Sequence, residues 1–417
     1  MFRISMFDLH PFCNHHPHCL DNFFNKLYPK GRYDMSYGKV LILSEKFGVG
    51  HEMAAFAISK GIRKLSPQTE VKIINFFQQF QPYLSRMTVK LYLKALDITP
   101  EIWGYFYERE RNKKKATVVK KMIQMGASFI LREIIEREKP DMIVCTHPFP
   151  CCVASRLKRK GLSVPLVAVI TDFDVHGFWI NEGVDAYIVA HEFMMKSMMK
   201  FGVDPGKIYP TGIPIDPNFD TFHGKIAAKK MLGFKEDLPL VLMAGGGLGI
   251  NGLDVSFVES LSHAPLQLAV ICGKNQSLQR NLLALTHHNN LDNIKVYGFV
   301  ENMWDFMEAA DLIITKAGGL TLAEALAREL PVVIYNPLPG QEERNAEFLL
   351  KNGAARRARN RDVLLKLAIN LLQDEEKLLR IKNKEAQLKK LFSAKKAAAI
   401  LLNLMEEKNG LMEMVVD

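Results

Sequence analysis

The chain has 417 residues, 48% hydrophobic and 24% charged, which is long enough for two folded domains and too apolar for general disorder. Its net charge of +10 favours an anionic partner, namely nucleic acid, acidic phospholipid or a phosphorylated substrate, without choosing among them. Six cysteines without a disulfide spacing fit a reducing cytoplasm, and no apolar run reaches the roughly 18 to 20 residues that span a bilayer, so any membrane association is expected to be peripheral.

Residues 1–38 read as an extension, disordered like most termini; Cys13, His15, His16, His18 and Cys19 crowd together there, but their spacing fits no structural zinc pattern. A strand over Lys39–Ser44 then runs through Gly48-Val49-Gly50-His51 into a helix over Glu52–Lys64. Further strands are predicted at Val71–Phe77, Met142–Cys145, Val164–Thr171, Val184–Ala190 and near Lys207–Pro210. The stretch between the second and third carries aromatics (Phe76, Phe77, Phe80, Tyr83, Trp103, Tyr107) followed by cations from Arg109 to Lys121. It suits either an amphipathic helical pair packed on the sheet or insertion into an anionic leaflet. No nucleic-acid-binding motif accompanies these charges.

Alternating strands and helices predict a parallel sheet covered on both faces, so residues 39–215 read as one Rossmann-like domain. Gly212, Pro214, Asp216 and Pro217 break the pattern, and residues 216–236 are assigned as the linker. A second series over residues 237–375 has strands at Leu238–Ala244, Leu266–Cys272, Ile294–Tyr297, Leu312–Thr315 and Val332–Tyr335. Residues 376–417 continue as charged helices with an apolar stripe, packed outside the domains or crossing between them. The expected fold is therefore α/β, two Rossmann-like domains facing across a cleft, with a helical carboxyl-terminal segment.

Lys316-Ala317-Gly318-Gly319-Leu320-Thr321 follows a strand and opens a helix, where free N–H groups and the helix dipole attract an anion such as a diphosphate. Thr321-x-x-Glu324 is equally a capping box, in which the carboxylate serves the helix and no ligand. Gln341 and Glu342, after Pro339-Gly340, sit at a similar helix start; they suit hydrogen bonds to sugar hydroxyls or simply a solvated acidic first turn. His51, after two glycines at a helix start, is a candidate general base, and Asp172, closing a strand, could orient it or take the proton itself. Either side chain could also be a plain cap. The loop Gly245-Gly246-Gly247-Leu248-Gly249 departs from the dinucleotide fingerprint and has no acid at the expected place on the next strand, which argues against a nicotinamide cofactor.

In chain order, Gly48-x-Gly50-His51, Thr171-Asp172-Phe173 with His176 and Trp179, Thr211-Gly212-Ile213-Pro214-Ile215, Gly298-Phe299-Val300, the Lys316 to Glu324 motif and Pro339-Gly340-Gln341-Glu342-x-x-Asn345 resemble the monogalactosyldiacylglycerol synthase and processive diacylglycerol glucosyltransferase family. That family belongs to glycosyltransferase family 28 and has the GT-B architecture. The resemblance runs from about Lys39 to Leu372. It implies that Phe299 and Val300 border the uracil, that Gly318, Gly319 and Thr321 cradle the diphosphate, and that Glu324 bonds the ribose. Gln341, Glu342 and Asn345 would face the hexose, with Gly245, Gly246 and Lys316 also on the nucleotide-sugar side. Gly50 and Trp179 would lie on the acceptor side, and His51 with Asp172 would be catalytic.

The activity implied is inverting transfer of glucose or galactose from UDP-glucose or UDP-galactose to diacylglycerol or a glycosyl-diacylglycerol. The enzyme would sit peripherally on the inner face of the cell membrane, against an anionic surface, with no nucleic-acid partner. No cofactor or metal is expected, because no paired carboxylates suited to magnesium accompany the nucleotide motifs. A sugar-nucleotide enzyme acting on a soluble or peptidoglycan-lipid acceptor, and a non-catalytic UDP-sugar-binding protein, remain open.

Overall fold

The computed structural model describes residues 38–45, 49–80, 118–246 and 255–416. Residues 1–37, most of the aromatic and basic insertion, Gly48 and the segment from Gly247 to Asp254 lie outside that set, so the readings placed on them rest on sequence.

Among the described residues six parallel strands build the first lobe: β1 (Lys39–Ser44), β2 (Glu70–Asn75), β3 (Met142–Cys145), β4 (Leu166–Val169), β5 (Ala186–Ile188) and β6 (Ile208–Tyr209). Their order is β2-β1-β3-β4-β5-β6. The second lobe has β7 (Leu240–Ala244), β8 (Gln267–Ile271), β9 (Ile294–Tyr297), β10 (Leu312–Thr315), β11 (Val332–Tyr335) and β12 (Ala355–Ala358), in the order β12-β11-β10-β7-β8-β9. β12 is not among the predicted strands. Its sequence, Ala-Arg-Arg-Ala, has no apolar run, and parallel pairing to β11 at the sheet edge defines it.

The second order is that of dinucleotide-binding sheets, whereas the first follows the flavodoxin pattern with one further strand. Each sheet thus has a switch point where its order reverses, between β1 and β3 in one and between β7 and β10 in the other. Ligands of open α/β sheets bind beyond the carboxyl ends of the strands at such points. The first leads to His51 and Thr146, the second to Gly245 and Lys316.

The strands are apolar on both faces because both faces are covered. Leu41 and Leu43 of β1 face the core shared by α2 (Val118–Glu138), α3 (Pro148–Arg159) and α4 (Phe193–Lys200). Val40 and Ile42 face α1 (Gly50–Leu65). After α5 (Lys225–Met231), β7 alternates likewise: Val241 and Met243 pack under α6 (Val255–Ser262), α7 (Gln276–His288), α11 (Arg361–Gln373) and α12 (Glu375–Leu388). Leu240 and Leu242 join the core under α8 (Met303–Ala309), α9 (Gly319–Ala327) and α10 (Gln341–Lys351).

The last helix, α13 (Ser393–Val416), returns to the first lobe. Ala397, Ala398, Leu401, Leu402 and Met405 are buried against Val40, Ile42, Ala55 and Ile58. Of the two placements open to this segment, the chain takes the crossing.

Candidate active site

The His51 side of the site comes from three strand ends of the first lobe. α1 begins at Gly50 directly after the β1 loop, so His51 occupies its first turn with a half-buried ring. Nδ1 lies 2.8 Å from the Thr146 carbonyl at the end of β3 and 2.8 Å from the Thr171 hydroxyl at the end of β4. A carbonyl only accepts, so Nδ1 carries the proton and Nε2 the lone pair, the tautomer a general base needs. Burial pushes the imidazole down to about 4, opposed in part by the Thr146 bond, so the ring is neutral at ordinary pH. His147 meets it edge-on with centroids 4.7 Å apart, and its own Nδ1 accepts the N–H of Phe149 to cap α3.

The other side, the α9 start, comes from the second lobe. Ala317, fully buried, adopts φ +70°, a left-handed conformation that turns the chain sharply off β10. Gly318 is the N-cap of α9 and gives no side-chain cap bond, so Thr321 and Glu324 lie within the helix and the capping-box alternative is not formed. The first main-chain bond of this helix runs from Leu322 N–H to the Gly318 carbonyl, so the N–H groups of Gly319, Leu320 and Thr321 have no intrahelical acceptor. Glu324 is half-buried, and burial together with nearby Asp216 pushes its carboxyl up to about 8. A neutral carboxyl both donates and accepts, which suits a pair of hydroxyls.

These two sides meet. A Cβ at Gly319 would overlap the Thr171 carbonyl and come within 3.1 Å of the Asp172 carboxylate, and one at Gly50 would lie 3.7 Å from Leu320. Only a glycine allows the α9 start this close to the end of β4. Asp172 Oδ2 accepts from Gln341 Nε2 at 3.1 Å and Oδ1 from Asn345 Nδ2 at 3.0 Å, while Asn345 Oδ1 accepts the Phe173 N–H at 2.8 Å. Phe173 stacks on Phe348 with centroids 4.9 Å apart. Burial pushes the Asp172 carboxyl up to about 6, against the Asn345 bond.

Several expectations change in this geometry. Asn345, read as facing the hexose, is fully buried, with its amide shared among Phe173, Asp172 and the Ala317 carbonyl; it clamps the lobes together. Both Glu342 oxygens are engaged by the protein, one with Lys316 at 2.9 Å and one accepting from Leu338 N–H at 2.8 Å, so that pair braces the loops after β10 and β11. Trp179, read on the acceptor side, is fully buried in the first-lobe core and lines no open surface in this conformation. His51 is oriented by Thr146 and Thr171; the Asp172 carboxylate is bonded to Gln341 and Asn345 instead.

Phe299 is exposed and Val300 half-buried just after β9, and Gly245 and Gly246 follow β7 at the switch point, with Gly246 at φ +68°. Of the aromatic insertion, Phe76 is fully buried in the first-lobe core, and half-buried Phe77 stacks on Phe149 with centroids 4.4 Å apart. Thr146 is absent from the residues singled out in the sequence, and Thr171 stands there only as a strand end and part of the Thr171-Asp172-Phe173 motif, with no role of its own. Nothing local distinguishes them from strand-end threonines, and only the meeting of three loops does.

The Monogalactosyldiacylglycerol (MGDG) synthase family model matches residues 51–215, and the Glycosyltransferase family 28 C-terminal domain matches residues 242–400. The processive diacylglycerol beta-glucosyltransferase of Bacillus cereus (strain G9842) is 34% identical over 348 residues, covering 82% of this chain and 88% of its own. Its counterpart from Bacillus subtilis (strain 168) is 33% identical over 373 residues, 88% of this chain and 95% of its own. Among solved structures, Acinetobacter baumannii MurG superposes with TM-score 0.55 at 18% identity, covering 88% of this chain and 99% of that one. The glycotransferase of kitacinnamycin gives 0.56 at 14% identity, covering 88% and 98%. At those identities the structural likeness shows the shared fold, the two-lobed GT-B architecture.

Proposed function

The chain belongs to the family of monogalactosyldiacylglycerol synthases and processive diacylglycerol glucosyltransferases, and from that premise we propose a hexosyltransferase of glycolipid synthesis, carrying a hexose from a UDP-sugar to diacylglycerol or a glycosyl-diacylglycerol. The observation that carries this reading is the direct apposition of the His51 loop and the α9 start, at Gly50 with Leu320 and Gly319 with Thr171. A base and an anion cradle serve one displacement only when they share a crevice.

In the proposed step the lipid hydroxyl oxygen attacks the anomeric carbon and its proton passes to His51 Nε2. The bond from that carbon to the β-phosphate oxygen breaks, and its electron pair leaves with UDP. Charge growing on the diphosphate is met by the N–H groups of Gly319, Leu320 and Thr321 and by the positive end of the α9 dipole. One displacement inverts the anomeric centre. Phe299 and Val300 border the base, Glu324 the ribose, and Gln341 the hexose once it lets go of Asp172. Glucose is the hexose that the relatives' names favour, with galactose the alternative. We assign no metal to the step, so chelation leaves turnover within about twofold.

Among the described residues no helix is long and apolar enough to cross a membrane. Attachment to the anionic inner face of the cell membrane through the basic insertion is part of the proposal.

Incubating the purified protein with radiolabelled UDP-glucose or UDP-galactose and diacylglycerol vesicles, then separating lipids by chromatography, tests the reading. Labelled glycolipid and lipid-dependent UDP release are expected. UDP-sugar turnover that ignores lipid, or tight UDP-sugar binding without turnover, would overturn it.

A further inference from the structure

The residue that ends β4 touches both halves of the site. Thr171 is 4% exposed; its hydroxyl stands 2.8 Å from His51 Nδ1, and its carbonyl oxygen lies 2.2 Å from where a Cβ of Gly319 would be. The side chain therefore belongs to the base and the backbone to the place where the anion-binding helix docks. Thr146 supplies only a carbonyl to the same nitrogen.

We propose that Thr171 is a positioning residue: its hydroxyl, with the Thr146 carbonyl, fixes the tautomer and orientation of His51, and its carbonyl sets the stop against which Gly319 closes. This rests on His51 being the base. The base is then held in register with the anomeric carbon by the same residue that the second lobe abuts, so alignment and closure are one event.

When Nε2 takes the acceptor proton, the ring becomes a cation and Nδ1–H a charged donor. Two oxygens already face it. In hydrolase triads a carboxylate fills that place, and here two neutral acceptors do, which keeps the base weak and the resting ring uncharged. The titratable groups on the elements around the ring include His147 at the α3 cap, Asp172, Asp174 and His176 after β4, Glu45 after β1, Glu52 on the same helix and Glu324 on α9. Removing the hydroxyl takes away an acceptor that favours the charged ring, so the His51 midpoint must fall.

The test compares Thr171→Val, which keeps the shape and loses the hydroxyl, with Thr171→Ser, which keeps the hydroxyl. Thr171→Ala serves the same purpose should valine not be accommodated. Expected for the hydroxyl-free variants is a loss of about 10- to 100-fold in kcat with UDP affinity unchanged. The His51 imidazole midpoint, followed by NMR and assigned through the resonance missing in His51→Ala, moves to lower pH. Serine restores both readouts to within about threefold of wild type. Wild-type kcat and an unmoved midpoint in Thr171→Val, or serine failing to rescue, would overturn the inference. His51→Ala run alongside separates the two ideas: if it keeps wild-type turnover, the base assignment itself fails, whereas an inactive His51→Ala beside a fully active Thr171→Val removes only the role of Thr171.

Discussion

Glu45 ends the run out of β1 with only 1% of its surface exposed, and both its carboxylate oxygens accept the Phe77 N–H, at 3.1 and 3.2 Å. Burial pushes this carboxyl up to about 9, a single neutral N–H being too little to offset the loss of water. At neutral pH the folded protein therefore holds a proton here that the unfolded chain releases near the usual glutamate value. A raised folded value means that the associated stability is complete below about pH 4.5 and is lost as pH rises toward about 9. Glu45→Gln keeps the acceptor for Phe77 and removes the titration. Thermal denaturation should show this variant melting above wild type near pH 8 and the advantage vanishing near pH 4. Equal melting-temperature profiles across that range would show that Glu45 does not titrate as its burial requires.

Among the elements, the pair α1 and α13 shows how one glycine sets a distance between helices. Gly61 sits mid-helix, where it costs about 1 kcal/mol relative to alanine. A Cβ there would lie 2.5 Å from the Ala394 carbonyl oxygen and 3.2 Å from the Ala398 Cβ, so the backbones approach too closely for a side chain. Gly61→Ala should destabilise by about 1–3 kcal/mol despite its better helix propensity, because the overlap is with backbone. Denaturant unfolding measures it, and a net stabilisation would mean that α13 shifts freely. Gly212 plays the same part at the lobe junction, with φ +95° and the Lys390 Cβ 2.5 Å from the place of its missing Cβ.

For the molecule as a whole, the issue is what holds the lobes face to face. The Asn345 amide spans them, tied to Asp172 and Phe173 on one side and to Ala317 on the other, and Phe348 stacks on Phe173 beside it. The crossing segment adds a bond from Ile215 N–H to the Ser393 hydroxyl at 3.2 Å, and at the linker Lys60 of α1 pairs with Asp216 at 2.5 Å. Asn345→Ala strands the Phe173 N–H and part of the Asp172 carboxylate, a cost of about 1–3 kcal/mol that falls on the closed form. Small-angle scattering should then give a larger radius of gyration, with kcat lowered about tenfold or more as alignment loosens. An unchanged radius and rate would assign closure to the other contacts.

The alternation of strand and helix, the two glycine-marked helix starts and the order of the motifs are all legible in the chain, because periodicity and turn chemistry act over a few residues. Of the twelve strands among the described residues, eleven follow from apolar runs, whereas β12 carries none and exists through its neighbour. Partners from distant segments were decided only in three dimensions. Asn345 and Asp172 are separated by 173 positions, Thr171 and His51 by 120, and no local pattern encodes such a meeting. Hence the sequence alone points to a base and an anion cradle, while the tertiary structure decides which polar groups stay available to a ligand and which the lobes spend on each other.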